Sequence, residues 1–98
     1  MKKGALLTEA QLHQSLAMLD GWRVVKGKLH KEYKFHSFAE AFGFMASVAI
    51  AAEAINHHPE WFNVYNRVVV DLVTHDLGGI STWDVVLAEK IDSLAVRD

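Results

Sequence analysis

The chain has 98 residues, 51% of them hydrophobic, which is enough for one compact domain with a real core, and a second domain is not expected. A formal net charge of −2 argues against the basic surface with which a nucleic-acid binder displaces counterions from phosphate. The absence of cysteine excludes a disulfide framework and any thiolate metal site.

Met1 to Leu7 carries two lysines but only a short apolar run, far from a signal-peptide core, and no segment is expected to reach membrane-spanning length. A cytoplasmic protein with neither a membrane nor a nucleic acid as partner is therefore expected. Thr8-Glu9-Ala10-Gln11 has the form of a capping box, so a first helix starts there. Leu12, Leu16 and Leu19 give it one apolar stripe, and Asp20-Gly21 supplies the stop. Two extended runs follow, from Trp22 to Val25 and from Leu29 to Phe35, separated by Lys26-Gly27-Lys28. They predict a β-hairpin. Leu29, Lys31, Tyr33 and Phe35 share one strand face, opposite His30, Glu32, Lys34 and His36.

Ser37-Phe38-Ala39-Glu40 is a second capping box, opening a helix that extends to about Asn56. One stripe of this helix runs Phe38, Phe42, Met45, Ala49, Ala52, and another runs Ala41, Phe44, Val48, Ala51, Ile55. A domain this small cannot bury both, so part of the helix is expected to be a subunit interface. Pro59 is expected to end the helical run. The segment from Trp61 to His75, broken at Tyr65-Asn66-Arg67, predicts a second hairpin. Gly78-Gly79 makes a turn, Ser81 is an N-cap with Asp84 in the first turn, and Trp83, Leu87, Ile91 and Leu94 mark the stripe of a last helix. The fold class is thus α+β, in the order helix-hairpin-helix-hairpin-helix, with a four-stranded antiparallel sheet and three helices packed on one face. Its free edge strands could pair with a second subunit.

The stretch from Glu53 to Trp61 is the richest in chemistry. Glu53 and His57 lie four apart and can pair on one helical face, while the adjacent His57 and His58 must point apart. Four readings are open. The histidines could simply serve exposed carbonyls at a helix end. Glu53 and His57, with His58 or His75, could hold a metal, although no HExxH pattern accompanies them. They could form a general acid/base site, since histidine titrates near neutral pH. Nucleophilic catalysis lacks both a cysteine and a G-x-S-x-G elbow.

Spacing then brings a resemblance. Glu53, three residues, His57-His58-Pro59, five residues, Tyr65, nine residues, His75, eight residues, Asp84 resembles the signature of the pterin-4a-carbinolamine dehydratase family. The run from Asn56 to Asn66 is similar to the animal members, also known as the dimerization cofactor of a hepatocyte nuclear transcription factor. Ala41-Phe42-Gly43-Phe44-Met45 extends the likeness, which covers the chain from about Leu12 to Leu94.

The resemblance implies dehydration of 4a-hydroxytetrahydropterin, the product released by aromatic amino acid hydroxylases, to quinonoid dihydropterin and water. It implies a sheet of four antiparallel strands with three helices on one side, dimers through sheet edges and tetramers through the central helix. No metal and no redox cofactor is expected, because no electrons pass to an external carrier. On this reading His57 and His75 handle the two protons and His58 orients the pterin. Glu53 holds His57, Pro59 shapes the loop and Trp61 forms an aromatic wall. Thr74 faces the amide-like edge of the pterin, and Asp84 bonds the pterin or His75. His13, His30 and His36 are expected to be solvated. The alternative is a protein-interaction module that uses the apolar central helix, as animal relatives do with a transcription factor.

Overall fold

The computed structural model describes residues 4–95 of the chain. Helix α1 (Glu9–Met18) begins at the expected capping box: the Thr8 hydroxyl accepts the Gln11 amide and the Gln11 side chain accepts the Thr8 amide. Strands β1 (Arg23–Val25) and β2 (Lys28–Lys34) form the first hairpin. Its two-residue turn holds Lys26 at φ 52° and Gly27 at φ 79°, the positive pair that matches the twist of the strands. Helix α2 (Phe38–Ile55) starts where the Ser37 hydroxyl accepts the Glu40 amide. The reciprocal arm differs from expectation, because the Glu40 carboxylate takes the amide of His36, one residue earlier.

Strands β3 (Glu60–Val64) and β4 (Arg67–Leu72) form the second hairpin, with Tyr65 at φ 52° in its turn. The Asn63 amide donates to the carbonyls of Tyr65 and Arg67 and secures that turn. A 3₁₀ turn over His75–Leu77, not foreseen from the sequence, precedes helix α3 (Thr82–Leu94). A short strap lies across the start of α3: Leu7 donates its amide to Ile80, Thr82 donates to Ala5, and Leu6 bridges Ser81. Gly4 belongs to it because a Cβ there would stand 2.5 Å from Trp83 Cδ1.

The sheet is antiparallel in the order β1-β2-β4-β3. Pairing of Leu29 with Leu72, Tyr33 with Val68 and Trp61 with Val70 puts one set of side chains on the helix-facing side. There Leu29, Val68, Val70 and Leu72 pack with Phe44 and Val48 of α2 and Leu87 and Ile91 of α3. Each fully buried aliphatic side chain contributes about 1.5–3 kcal/mol. Lys31, on the same inward face, is retained because its ammonium meets Asp92 at 2.8 Å and lies 4.8 Å from the centre of the Tyr33 ring. Asp92 also accepts the Trp22 indole N–H and the Tyr33 hydroxyl. Burial first, then this hydrogen bond, pushes the Tyr33 phenol well above its ordinary range. Trp83 differs from the expected core stripe, being only half-buried beneath the strap.

Helix α2 divides into a buried and an exposed side, close to its two stripes except that Ala52, placed with Phe38 and Phe42, turns inward and Ile50, in neither stripe, is exposed. Ala41, Phe44, Val48 and Ala52 are buried, while Phe42 is 57% and Ile50 74% exposed. Its 18 residues, with mean hydropathy 1.5, are long and apolar enough by length and composition to cross a membrane. That corrects the expectation that no segment reaches such a length. The inward stripe nevertheless lies against the sheet and α3, as a core helix does.

Candidate active site

Helix α2 ends before Pro59. Asn56 takes the left-handed conformation, φ 54°, and the amides of Asn56 and His57 both return to the Ala52 carbonyl. This closing turn reverses the chain within two residues. His57 is thereby driven inward, to 7% exposure, and His58 outward. On the other side β4 runs into Thr74, whose backbone bonds Gly79 in both directions and closes the 3₁₀ turn that carries His75. Gly78 at φ 76° makes that closure possible. Between the two segments lies a cleft of about 480 Å³ lined by residues 56–58 and 73–77. His57, His58 and His75, which come from separate parts of the chain, all face it.

Each imidazole has a carboxylate of its own. His57 Nε2 lies 2.7 Å from Asp84 Oδ1, His58 Nε2 lies 2.9 Å from Glu53 Oε1, and His75 Nε2 lies 2.8 Å from Glu60 Oε2. Their settings differ: the His57 pair is buried, whereas the side chains of His58 and His75 are 55% and 73% exposed. Glu60 also receives Lys28 Nζ at 2.5 Å. Lys28, and after it His75, holds the Glu60 carboxyl below its usual range, and Glu60 in turn holds Lys28 above its own.

These pairings correct several expectations. The partner of His57 is Asp84, not Glu53, because the αL turn swings the ring away from the outer side of α2 where Glu53 stands. Asp84 is fully buried and bonds neither His75 nor the cleft. Its second oxygen accepts the Ser81 amide and the Thr74 hydroxyl. Thr74 lines the cleft, but its hydroxyl is engaged inward with Asp84 and Ser81. Trp61 is half-buried against the core by its inward register on β3, and neither it nor Pro59 is among the lining residues. His30 is not simply solvated, since Nδ1 lies 2.8 Å from Asp71 on the outer sheet face, while His13 and His36 are exposed. Among the described residues no group of three or more His, Cys, Asp or Glu is arranged to hold a metal ion. Glu60 and Ser81 are the residues sequence reasoning missed in this network. Ser81 had a visible signal only as an N-cap, and Glu60 had none beyond standing next to Pro59.

Known proteins agree with the fold. The family described as "Pterin 4 alpha carbinolamine dehydratase" matches residues 5–94. A Solibacter usitatus protein named "Putative pterin-4-alpha-carbinolamine dehydratase" is 57% identical over 89 residues, spanning 91% of this chain and 94% of that one. A Brucella ovis protein of the same name is 46% identical over 91 residues, with the same coverage of each chain. The crystal structure of a transcriptional coactivator/pterin dehydratase from Brucella melitensis superposes with a TM-score of 0.90 at 45% identity, covering 94% of this chain and all of that one. A pterin dehydratase-like RuBisCO assembly factor of the alpha-carboxysome gives 0.66 at 26% identity, covering 80% of this chain and 93% of that one. Matched over nearly its whole length in sequence and in fold, the chain belongs to the pterin 4 alpha carbinolamine dehydratase family.

Proposed function

We propose that the protein is a 4a-hydroxytetrahydropterin dehydratase. The observation that carries this reading is one cleft faced by three imidazoles, each bonded to its own carboxylate. The reaction breaks the C4a–O bond as the leaving hydroxyl takes a proton and departs as water. The N5 proton is lost, and its bonding pair forms the N5=C4a double bond of the quinonoid product. One proton donor and one acceptor suffice. His57 suits the acceptor: with Nε2 engaged by Asp84, its Nδ1 lone pair is the one available to the cleft. His75 suits the donor, with Glu60 supplying a counter-charge to its imidazolium form. His58, tied to Glu53 at the rim, orients the ring. Such a step would return pterin cofactor released by an aromatic amino acid hydroxylase to its recycling route.

The test is direct. Enzymatically generated 4a-hydroxytetrahydropterin is expected to dehydrate faster with the wild-type protein than in buffer, followed by the absorbance of the quinonoid product. Equal rates would refute the reading.

The exposed stripe of α2 is, on this proposal, covered by a second copy of the chain, giving a homotetramer when combined with pairing at a sheet edge. Phe38, Phe42 and Ile50 are too large an apolar group to leave in water, and the helix offers them few polar neighbours. Light scattering should show a lower mass for Phe42→Glu than for wild type, and an unchanged mass would count against the helix contact. The coactivator description of the Brucella melitensis relative supports a second reading, in which the same stripe docks another protein.

A further inference from the structure

The buried surroundings of His57 have a direction that can be worked out atom by atom. Asp84 and Ser81 are fully buried, and Thr74 is 8% exposed. Asp84 Oδ2 takes the Ser81 amide at 2.8 Å, so that oxygen is an acceptor. Thr74 Oγ1 stands 2.8 Å from the same oxygen and 2.6 Å from Ser81 Oγ, and has a single proton to give. Ser81 Oγ already accepts the Trp83 amide at 3.2 Å.

Only one polarity satisfies every group. The Ser81 hydroxyl donates to Thr74 and the Thr74 hydroxyl donates to Asp84, so Oδ2 carries no proton and only Oδ1, facing His57, could share one. In the reverse order Asp84 would be protonated and donate to Thr74, and Thr74 would donate to Ser81. The Ser81 proton would then have no hydrogen-bonded acceptor among the described residues, in a side chain with no access to water. A stranded buried hydroxyl is disfavoured, and an isolated buried carboxylate is more so. Two fixed donors, the Ser81 amide and the Thr74 hydroxyl, offset the second problem, and His57 Nε2 at 2.7 Å is the third group on the carboxylate.

We propose that Ser81 and Thr74 are positioning residues. Their hydroxyls form a one-way relay that keeps Asp84 ionised and so locks His57 in the tautomer with its proton on Nε2 and a free lone pair on Nδ1. The inference rests on the dehydratase reading for its consequence, because an Nδ1 lone pair matters only if it removes a proton. It goes further by assigning Ser81 a task beyond capping α3, and Thr74 a task other than touching substrate. The relay also explains why a threonine precedes His75: its side chain belongs to the other histidine.

The test uses the full-length, isotope-labelled protein. Proton–nitrogen correlation spectra of the imidazole rings should show wild-type His57 protonated at Nε2 and pyridine-like at Nδ1. A neutral ring protonated at Nδ1 would overturn the proposal without any variant. Thr74→Val keeps the shape and removes the donor. It should mix the tautomers of His57 and lower kcat roughly tenfold with KM unchanged, the loss expected for one hydrogen bond to a charged group. Thr74→Ser should restore both the spectrum and the rate. A Thr74→Val protein with the wild-type spectrum and the wild-type kcat would refute the relay while leaving the enzyme reading intact. Should wild type fail to turn over at all, the dehydratase reading falls, and the spectra still decide the relay. Ser81→Ala supplies the second variant: the same tautomer mixing is expected, and an undisturbed His57 signal would refute the role of Ser81.

Discussion

Replacement of His57 by alanine should lower kcat for 4a-hydroxytetrahydropterin dehydration about 10²- to 10⁴-fold, the range that one positioned proton transfer contributes. The variant has a structural side effect. Asp84 loses one of its donors, and a buried carboxylate short of a partner lowers stability. His75→Ala separates the two effects, because its ring is largely exposed and its removal strands nothing in the interior. It should lose a similar factor in kcat at an unchanged melting temperature. His58→Ala should instead raise KM with a small change in kcat, as expected of a group that orients the ring rather than moving its protons. Stopped-flow absorbance on the three variants beside thermal melts makes the comparison. A kcat unchanged in both His57→Ala and His75→Ala would remove the acid/base mechanism.

Asp92→Ala should be the most destabilising single change outside the hydrophobic core. One carboxylate on α3 accepts the Trp22 indole N–H through both oxygens at 3.1 Å, the Lys31 ammonium at 2.8 Å and the Tyr33 hydroxyl. It therefore fastens the first hairpin to the last helix. Trp22 and Tyr33 are both buried, so truncation leaves two polar groups without an acceptor, at about 1–3 kcal/mol each. A total of about 2–6 kcal/mol corresponds to roughly 10–30 °C in Tm for a domain of this size, at about 5 °C per kcal/mol. Asp92→Asn keeps an acceptor oxygen and should lose about half as much. A double-mutant cycle with Trp22→Phe locates the coupling, and additivity of the two losses would show that the indole contact carries none of it.

The elements were largely legible in the sequence because their signals are local. Thr8, Ser37 and Ser81 announce helix starts with a hydroxyl and a partner three residues on. Alternation from Leu29 to Phe35 gives the strand face directly, and the order of the elements follows. What the local signals lack is an address in space. Glu53 and His57 at four-residue spacing would meet on a continued helix, but Asn56 is left-handed, and that single dihedral sends His57 to Asp84. The sheet order depends on β4 inserting between β2 and β3, which no hairpin signal encodes. Trp61 looked like a pocket wall because an indole two residues after proline is conspicuous in a string of letters. Strand register turned it inward instead. The three histidines were found by spacing, whereas two of their three carboxylate partners came from elements remote in sequence.

The strap over residues 80–82 has a practical side. By pairing with both flanks of Ser81 it holds the very loop from which the hydroxyl relay starts, although it lies far along the chain from His57, His58 and His75. Trimming the chain up to Leu7 should therefore loosen the Ser81 loop while sparing the sheet, and with it disturb the proposed relay to His57.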